Sequence, residues 1–220
     1  MSLRASRKPA RGKPVRRGAT RRPPFDALFL DRDGTLVVER GFLGDPKDIR
    51  LAAGADERLR VFARKGTALF IVTNQSGLAR GFLTWSQVDA VNAEIVRRYA
   101  ARGVPFAGVL VCTHHPEGAV ASLRRRCRCR KPGTLLHERA LRARGLSARR
   151  SAVVGDKWDD VGSGVALGAA TAHVLTGHGR RERPLVIARA PGAILATTLA
   201  DALDQLLSRA PTRRPPRRSA

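Results

Sequence analysis

Short apolar runs alternate along this chain with longer stretches in which apolar residues recur every three or four positions. The short runs are Ala27 to Leu30, Ala68 to Val72, Val109 to Val111, Ala152 to Val154 and Ala172 to Leu175, with Ala193 to Leu195 as a sixth. They are too short for helices, and most are bounded by Gly, Asp or Asn, so they predict buried strands. The longer stretches, Ala55 to Lys65, Ser86 to Arg102, Thr134 to Arg144, Asp160 to Leu167 and Leu199 to Leu207, carry helical periodicity. Strands that alternate with helices form a mostly parallel sheet with crossover helices on its faces. The expected class is therefore α/β, with a Rossmann-like, mostly parallel sheet. In such sheets the ligand crevice lies outside the carboxyl ends of the strands. Here the first strand runs into Asp31-Arg32-Asp33-Gly34-Thr35, the second into Thr73-Asn74-Gln75-Ser76-Gly77 and the fourth into Gly155-Asp156-Lys157.

Charge changes this picture at the ends of the chain. Of the formal net charge of +24, residues 1–24 contribute nine Arg and Lys and no acid, and residues 211–220 contribute four more. These ends have almost no large apolar groups with which to offset the entropy of ordering, so they predict disordered basic tails around one domain at 25–210. A length of 220 residues leaves little room for a second full domain. No stretch approaches the ~18 uninterrupted apolar residues of a membrane span, and the N-terminal segment lacks the apolar run of a secretory signal. An Arg-rich transit peptide is the alternative for that segment, although no amphipathic pattern emerges in it. The only cysteines are Cys112, Cys127 and Cys129, an odd count that argues against a disulfide framework and for a reducing cytoplasm.

Asp31 and Asp33 leave the first strand two residues apart and can project onto a common site, with Gly34 allowing a sharp turn. Two carboxylates that close repel each other, and magnesium, which favours one or two carboxylates plus phosphate oxygens, would relieve the repulsion. An aspartate can also attack phosphorus to form an acyl phosphate. Taken alone, the Asp-x-Asp pair reads as a turn with solvated acids. Taken together, Phe29-Leu30-Asp31-Arg32-Asp33-Gly34-Thr35-Leu36, Thr73-Asn74-Gln75-Ser76-Gly77, Lys131-Pro132 and Val154-Gly155-Asp156-Lys157 resemble, in order, the four signature motifs of the haloacid dehalogenase superfamily of phosphatases. The resemblance implies that Asp31 is the nucleophile and that Asp33 protonates the leaving oxygen and then activates water. It also implies a magnesium site that includes Asp31, Asp33 and Asp156, with Thr73 and Lys131 stabilising the transferring phosphoryl group.

Between the third strand and Lys131 lie Cys112-Thr113-His114-His115 and Cys127-Arg128-Cys129. Three thiols and an imidazole match the set of a closed structural zinc site, with Cys112, His114, Cys127 and Cys129 as ligands and His115 as the spare. The alternatives are three unrelated free thiols, or a reactive cysteine whose pKa is lowered by Arg124, Arg125, Arg126, Arg128, Arg130 and Lys131. Cys112-x-His114-His115-Pro116-x-Gly118 followed by Cys127-x-Cys129-Arg130-Lys131-Pro132 is similar to the zinc loop, here 112–129, of the D-glycero-D-manno-heptose 1,7-bisphosphate phosphatases and the related histidinol-phosphate phosphatases. That resemblance implies substrate contacts from Glu39, Arg40, Gly41 and Phe42, from Asn74, Gln75 and Ser76, and from Arg130 and Lys157. A guanidinium at 130 suits a second phosphate. The chain departs from relatives where Lys131-Pro132 runs directly into Gly133-Thr134.

The implied enzyme is a monomeric phosphatase acting on a small phosphorylated metabolite. A heptose bisphosphate hydrolysed at its 7-phosphate leads, and histidinol phosphate comes second. The thirteen charges of the two tails allow a rival reading in which nucleic acid binds and a DNA 3′-phosphate is removed. A zinc-knuckle binding protein is a third reading, but it needs stacking aromatics, and only 5% of the residues are aromatic.

Overall fold

The computed structural model describes residues 23–209. The expected basic tails, apart from Pro23 and Pro24, lie outside the described residues.

Six parallel strands form one sheet: β1 (Ala27–Leu30), β2 (Ala68–Asn74), β3 (Gly108–Cys112), β4 (Ser151–Gly155), β5 (Ala170–Val174) and β6 (Ile194–Ala196), in the order β3-β2-β1-β4-β5-β6. The helices are α1 (Ala55–Arg64), the short α2 (Ser76–Ala79), α3 (Trp85–Ala100), α4 (Leu135–Arg144), α5 (Trp158–Leu167), α6 (Gly179–Arg189) and α7 (Leu199–Ser208). β1 is the central strand, pairing Phe29 with Phe70 of β2 and with Val153 of β4. Its four residues are all buried, as a strand with helices on both faces requires.

Side chains alternate between the two faces. Leu28, Leu30, Leu69 and Ile71 pack with Leu59 and Phe62 of α1, Val91, Ile95 and Tyr99 of α3, and Leu203 and Leu206 of α7. Ala27, Phe29, Phe70, Val72 and Val153 face the other way, onto Ala140 and Leu141 of α4. The larger layer anchors the loop after β1. Tyr99 Oη donates to Leu36 O at 2.8 Å, and Arg98 donates to Ile49 O at 2.9 Å. Thr84 and Gln87 cap α3 reciprocally at its start.

The five expected helices and six expected strands are present, with shifts at their ends. β2 continues past Val72, because Thr73 and Asn74 still pair with Val111 and Cys112 of β3. α5 starts at Trp158 rather than Asp160. α6 was not expected. Pro184 lies inside it, charged residues surround it, and only Gly179 and Val186 are buried, so it has no apolar stripe to read.

Candidate active site

Strand ends bring the candidate groups together. Asp31 follows the last residue of β1, and its N–H continues the ladder to Val154 O at 2.9 Å. Lys131 comes from the segment before α4 and is pinned by an amide on the end of β2. Its N–H donates to Asn74 Oδ1 (3.0 Å), and Asn74 Nδ2 donates back to Lys131 O (3.2 Å). The Lys131 ammonium is buried and uses its three donors on Val72 O (2.6 Å), Asp31 Oδ1 (2.6 Å) and Asp160 Oδ1 (2.5 Å). Burial opposes its charge, but Asp160 and Asp31 outweigh that and raise its pKa above the usual lysine value.

Asp31, Asp156 and Asp160 are all buried, and one oxygen of each lies within 4.8 Å of the others. Three carboxylates against one ammonium leave an excess of negative charge. Burial first, then the charges of Asp31 and Asp160, push Asp156 up to about 8. Asp160 is raised to about 7 by burial and by Asp31, against the pull of Lys131. Asp156 Oδ2 accepts from His178 N at 2.7 Å, whereas its Oδ1 is buried without a partner among the described residues. A hard dication bound by oxygens would neutralise this group and satisfy that orphan atom, so the donor set fits magnesium. The carboxylate that joins Asp31 and Asp156 in this buried group is Asp160. Asp33 is instead paired with Arg32, whose Nη2 lies 2.9 Å from its Oδ2, and it accepts from Gln75 Nε2 at 2.8 Å.

Glycines make this approach possible. A side chain at Gly34, whose φ is +82°, would collide with Asp156, and one at Gly155 would collide with Asp160. A cavity of about 100 Å³ opens on the group, lined by Asp31, Asp33, Thr73, Ser76, Lys131 and Asp160 together with Asn74, Arg130, Lys157 and Asp159.

The second cluster lies on the loop after β3. Cys112 Sγ is 3.6 Å from Cys127 Sγ and 3.3 Å from Cys129 Sγ, and the Cys127 and Cys129 sulfurs are 3.2 Å apart. His114 Nδ1 lies 3.2 Å from Cys129 Sγ and 3.8 Å from Cys112 Sγ. Ligands about 2.3 Å from a tetrahedral zinc stand roughly 3.8 Å apart, so these four atoms are nearly placed for one. Burial raises the Cys112 thiol, so without a cation that thiol resists ionising. A Cys₃His donor set in a reduced protein fits zinc. His115 is outside the cluster, with Nε2 3.0 Å from Arg80 Nη2 and Nδ1 accepting from Glu117 N.

The family model described as HAD-hydrolase-like matches residues 128–202. D-glycero-beta-D-manno-heptose-1,7-bisphosphate 7-phosphatase of Escherichia coli K12 is 38% identical over 147 residues, covering 66% of this chain and 76% of the relative. The protein of that name from Vibrio cholerae is 32% identical over 177 residues, covering 80% of this chain and 91% of the relative. Among solved structures, D,D-heptose 1,7-bisphosphate phosphatase from B. bronchiseptica, complexed with magnesium and phosphate, superposes with a TM-score of 0.74 at 26% identity, covering 84% of this chain and 99% of the other. The chain belongs to the haloacid dehalogenase superfamily, in the heptose bisphosphate phosphatase branch. It is a phosphomonoester hydrolase.

In this phosphatase the residues expected to meet substrate divide into three groups. Ser76, Arg130 and Lys157 line the cavity, and Arg130 Nη1 also reaches His114 O at 3.4 Å, which ties the cavity wall to the Cys/His loop. Asn74 borders the cavity but spends its amide on Lys131, and buried Gln75 bridges Asp33 and Thr73 Oγ1, both at 2.8 Å. Glu39, Arg40, Gly41 and Phe42 stand outside the cavity lining. Glu39 accepts from Gly41 N (2.7 Å) and lies 3.5 Å from His178 Nε2, Arg40 is exposed, and the Phe42 ring packs on Phe82 with centroids 4.8 Å apart. Asp159 and Asp160 were missed in the sequence. The available signal was a pair of acids in the first turn of a helix that leaves the carboxyl edge of the sheet.

Proposed function

We propose that this phosphatase removes the 7-phosphate of D-glycero-D-manno-heptose 1,7-bisphosphate through an aspartyl-phosphate on Asp31. The observation that supports it most is the ion pair of Lys131 Nζ with Asp31 Oδ1 at 2.6 Å, beside buried Asp156 and Asp160 and an open cavity. The substrate follows from the names of the relatives at 32–38% identity.

In the first half-reaction an Asp31 oxygen bonds to phosphorus while the bond from phosphorus to the sugar oxygen breaks. The leaving oxygen takes a proton from Asp33. In the second, a water oxygen attacks phosphorus and gives a proton to Asp33, the acyl-phosphate bond breaks, and its electron pair returns to the Asp31 carboxylate. Lys131 and the Thr73 hydroxyl stabilise the charge that spreads over the phosphoryl oxygens. Arg130 and Lys157, on the cavity wall, hold the phosphate that is not cleaved. Asp31, Asp33 and Asp156, with Asp160 buried beside them, would hold magnesium, which would supply charge neutralisation at the phosphoryl group. Cys112, His114, Cys127 and Cys129 hold a structural zinc. Residues 25–210 form one catalytic unit that acts in the cytoplasm.

Phosphate release from heptose 1,7-bisphosphate, histidinol phosphate and a 3′-phosphorylated oligonucleotide, with and without magnesium, tests the reading. The heptose substrate should be preferred and magnesium required. Equal or better turnover of histidinol phosphate or the oligonucleotide would remove the heptose assignment.

A further inference from the structure

Arg32, with 1% of its surface exposed, is the largest fully buried side chain among the described residues. Its guanidinium is shared between two partners on different elements. Nε lies 3.1 Å from Asp33 Oδ1 and 3.0 Å from Oδ2, Nη2 lies 2.9 Å from Oδ2, and Nη1 donates to Asn92 Oδ1 at 2.8 Å. Asn92 sits on α3 among Val88, Val91, Ile95 and Tyr99, the polar exception on that helix's buried face. It does not border the cavity. α3 itself is fixed to the loop after β1 by Tyr99 and Arg98.

The two oxygens of Asp33 are treated unequally. Oδ2 receives Arg32 Nη2, Arg32 Nε and Gln75 Nε2, whereas Oδ1 receives one contact of 3.1 Å from Arg32 Nε. A carboxylate oxygen offers about two lone-pair sites, so Oδ2 is filled and Oδ1 retains room. The Asp33 side chain keeps 14% of its surface exposed and borders the cavity.

We infer that Asn92, acting through Arg32, is a positioning residue for the proton-transfer step, and that this brace turns Asp33 so that its Oδ1 carries the proton. The inference rests on the reading of Asp33 as the general acid and base. A planar guanidinium makes such a brace, because its donors are fixed in one plane and can serve the carboxylate and the amide together. With Nη1 released from Asn92, the guanidinium can tilt, and Asp33 tilts with it. A small displacement of an acid is enough to slow proton transfer, since the transfer requires hydrogen-bond contact with the leaving oxygen.

Leaving-group dependence of kcat/KM provides the test, since kcat/KM reports only the steps through release of the alcohol. An alkyl phosphate such as the heptose bisphosphate needs its leaving oxygen protonated, and p-nitrophenyl phosphate does not. Asn92→Ala should lower kcat/KM on the alkyl phosphate at least 10-fold and on p-nitrophenyl phosphate less than 3-fold, as expected for loss of a general-acid contribution of about 10²–10⁴ in part. Asn92→Asp, which still accepts from Nη1, should recover most of the loss. Arg32→Lys, whose ammonium cannot serve both partners in one plane, should reproduce the contrast and substitutes for Asn92→Ala should that protein not fold. Equal losses on both substrates in Asn92→Ala and Arg32→Lys overturn the proposal. Asp33→Asn separates the two levels. If it shows no leaving-group contrast, the acid-base reading itself falls. If it shows the contrast and the Asn92 and Arg32 variants do not, only the positioning role falls.

Discussion

Asn74 and Lys131 hold each other through a closed pair of hydrogen bonds, with Lys131 N donating to Asn74 Oδ1 at 3.0 Å and Asn74 Nδ2 donating to Lys131 O at 3.2 Å. The pair joins the end of β2 to the segment that carries the ammonium, and it aims that ammonium at Asp31. Asn74→Ala should therefore act on the chemistry rather than on binding. A shift of about 1 Å in a catalytic group can cost roughly 10²-fold, so kcat should fall by about that factor while KM stays within a few-fold. Steady-state kinetics on the heptose bisphosphate reads this split. A large rise in KM with kcat unchanged would return Asn74 to the substrate-binding role that its residue type suggests.

Legibility followed what periodicity and spacing encode. Ala27 to Leu30 could be read because a strand buried on both faces leaves an unbroken apolar run, and Asp31 because ligands gather where such runs end. Cys112, His114, Cys127 and Cys129 could be read because metal donors betray themselves by residue type, and the structure brings their four ligand atoms together. Orientation could not be read. Asn74 and Gln75 carry the same kind of amide as a substrate contact, yet both face inward onto protein partners. The direction of the Asp33 side chain could not be read for a similar reason. Side-chain direction at a strand end depends on a neighbour, Arg32, whose only outward sign was a basic residue between two acids. α6 was lost because Pro184 and its charged surroundings contradict local propensity, and contact with β5 and α5 decides its fold.

The Cys/His loop is covalently continuous with Lys131 through Cys129-Arg130-Lys131, and Val120 N docks it on α2 by donating to Ala79 O at 2.9 Å. Purified protein should carry one zinc per chain. Cys129→Ser should lose it and melt about 10 °C lower, given that a stability loss of about 1 kcal/mol moves Tm by roughly 2–4 °C at this size. Elemental analysis and thermal melting measure both. Retention of stoichiometric zinc, or an unchanged Tm after its loss, would refute a structural metal at these residues.

Magnesium should stabilise the protein more as pH rises. Asp156 is held at about 8 in the metal-free fold against 3.8 as its ordinary value. A raised acid binds a proton in the native state that the unfolded chain has released, so metal-free stability falls as pH climbs from about 4 to 8. The dication requires the ionised carboxylate and removes its penalty. The rise in Tm caused by magnesium should therefore be larger at pH 8.5 than at pH 5.5, and Asp156→Asn should abolish most of that difference. A magnesium effect that is equal at both pH values would mean that Asp156 is not among the ligands.

His137 on α4 is fully buried, packs edge-on against Phe29 with centroids 4.9 Å apart, and has no partner for either ring nitrogen among the described residues. Burial, and then the nearby Lys131 charge, push it down to about 3. Below pH 6.5 the unfolded chain binds a proton that the native imidazole refuses, so this group removes stability as pH falls from about 6.5 toward 3. At pH 5 the penalty is about 2 kcal/mol by linkage. His137→Leu keeps the apolar contact with Phe29, discards two unsatisfied nitrogens and deletes the titration. The variant should gain about 1–3 kcal/mol at pH 7 from the removed orphan atoms, and its advantage over the parent should grow between pH 7 and pH 5. Urea unfolding at the two pH values measures that difference, and an advantage that does not grow on acidification would show that the imidazole is solvated or paired in the native protein.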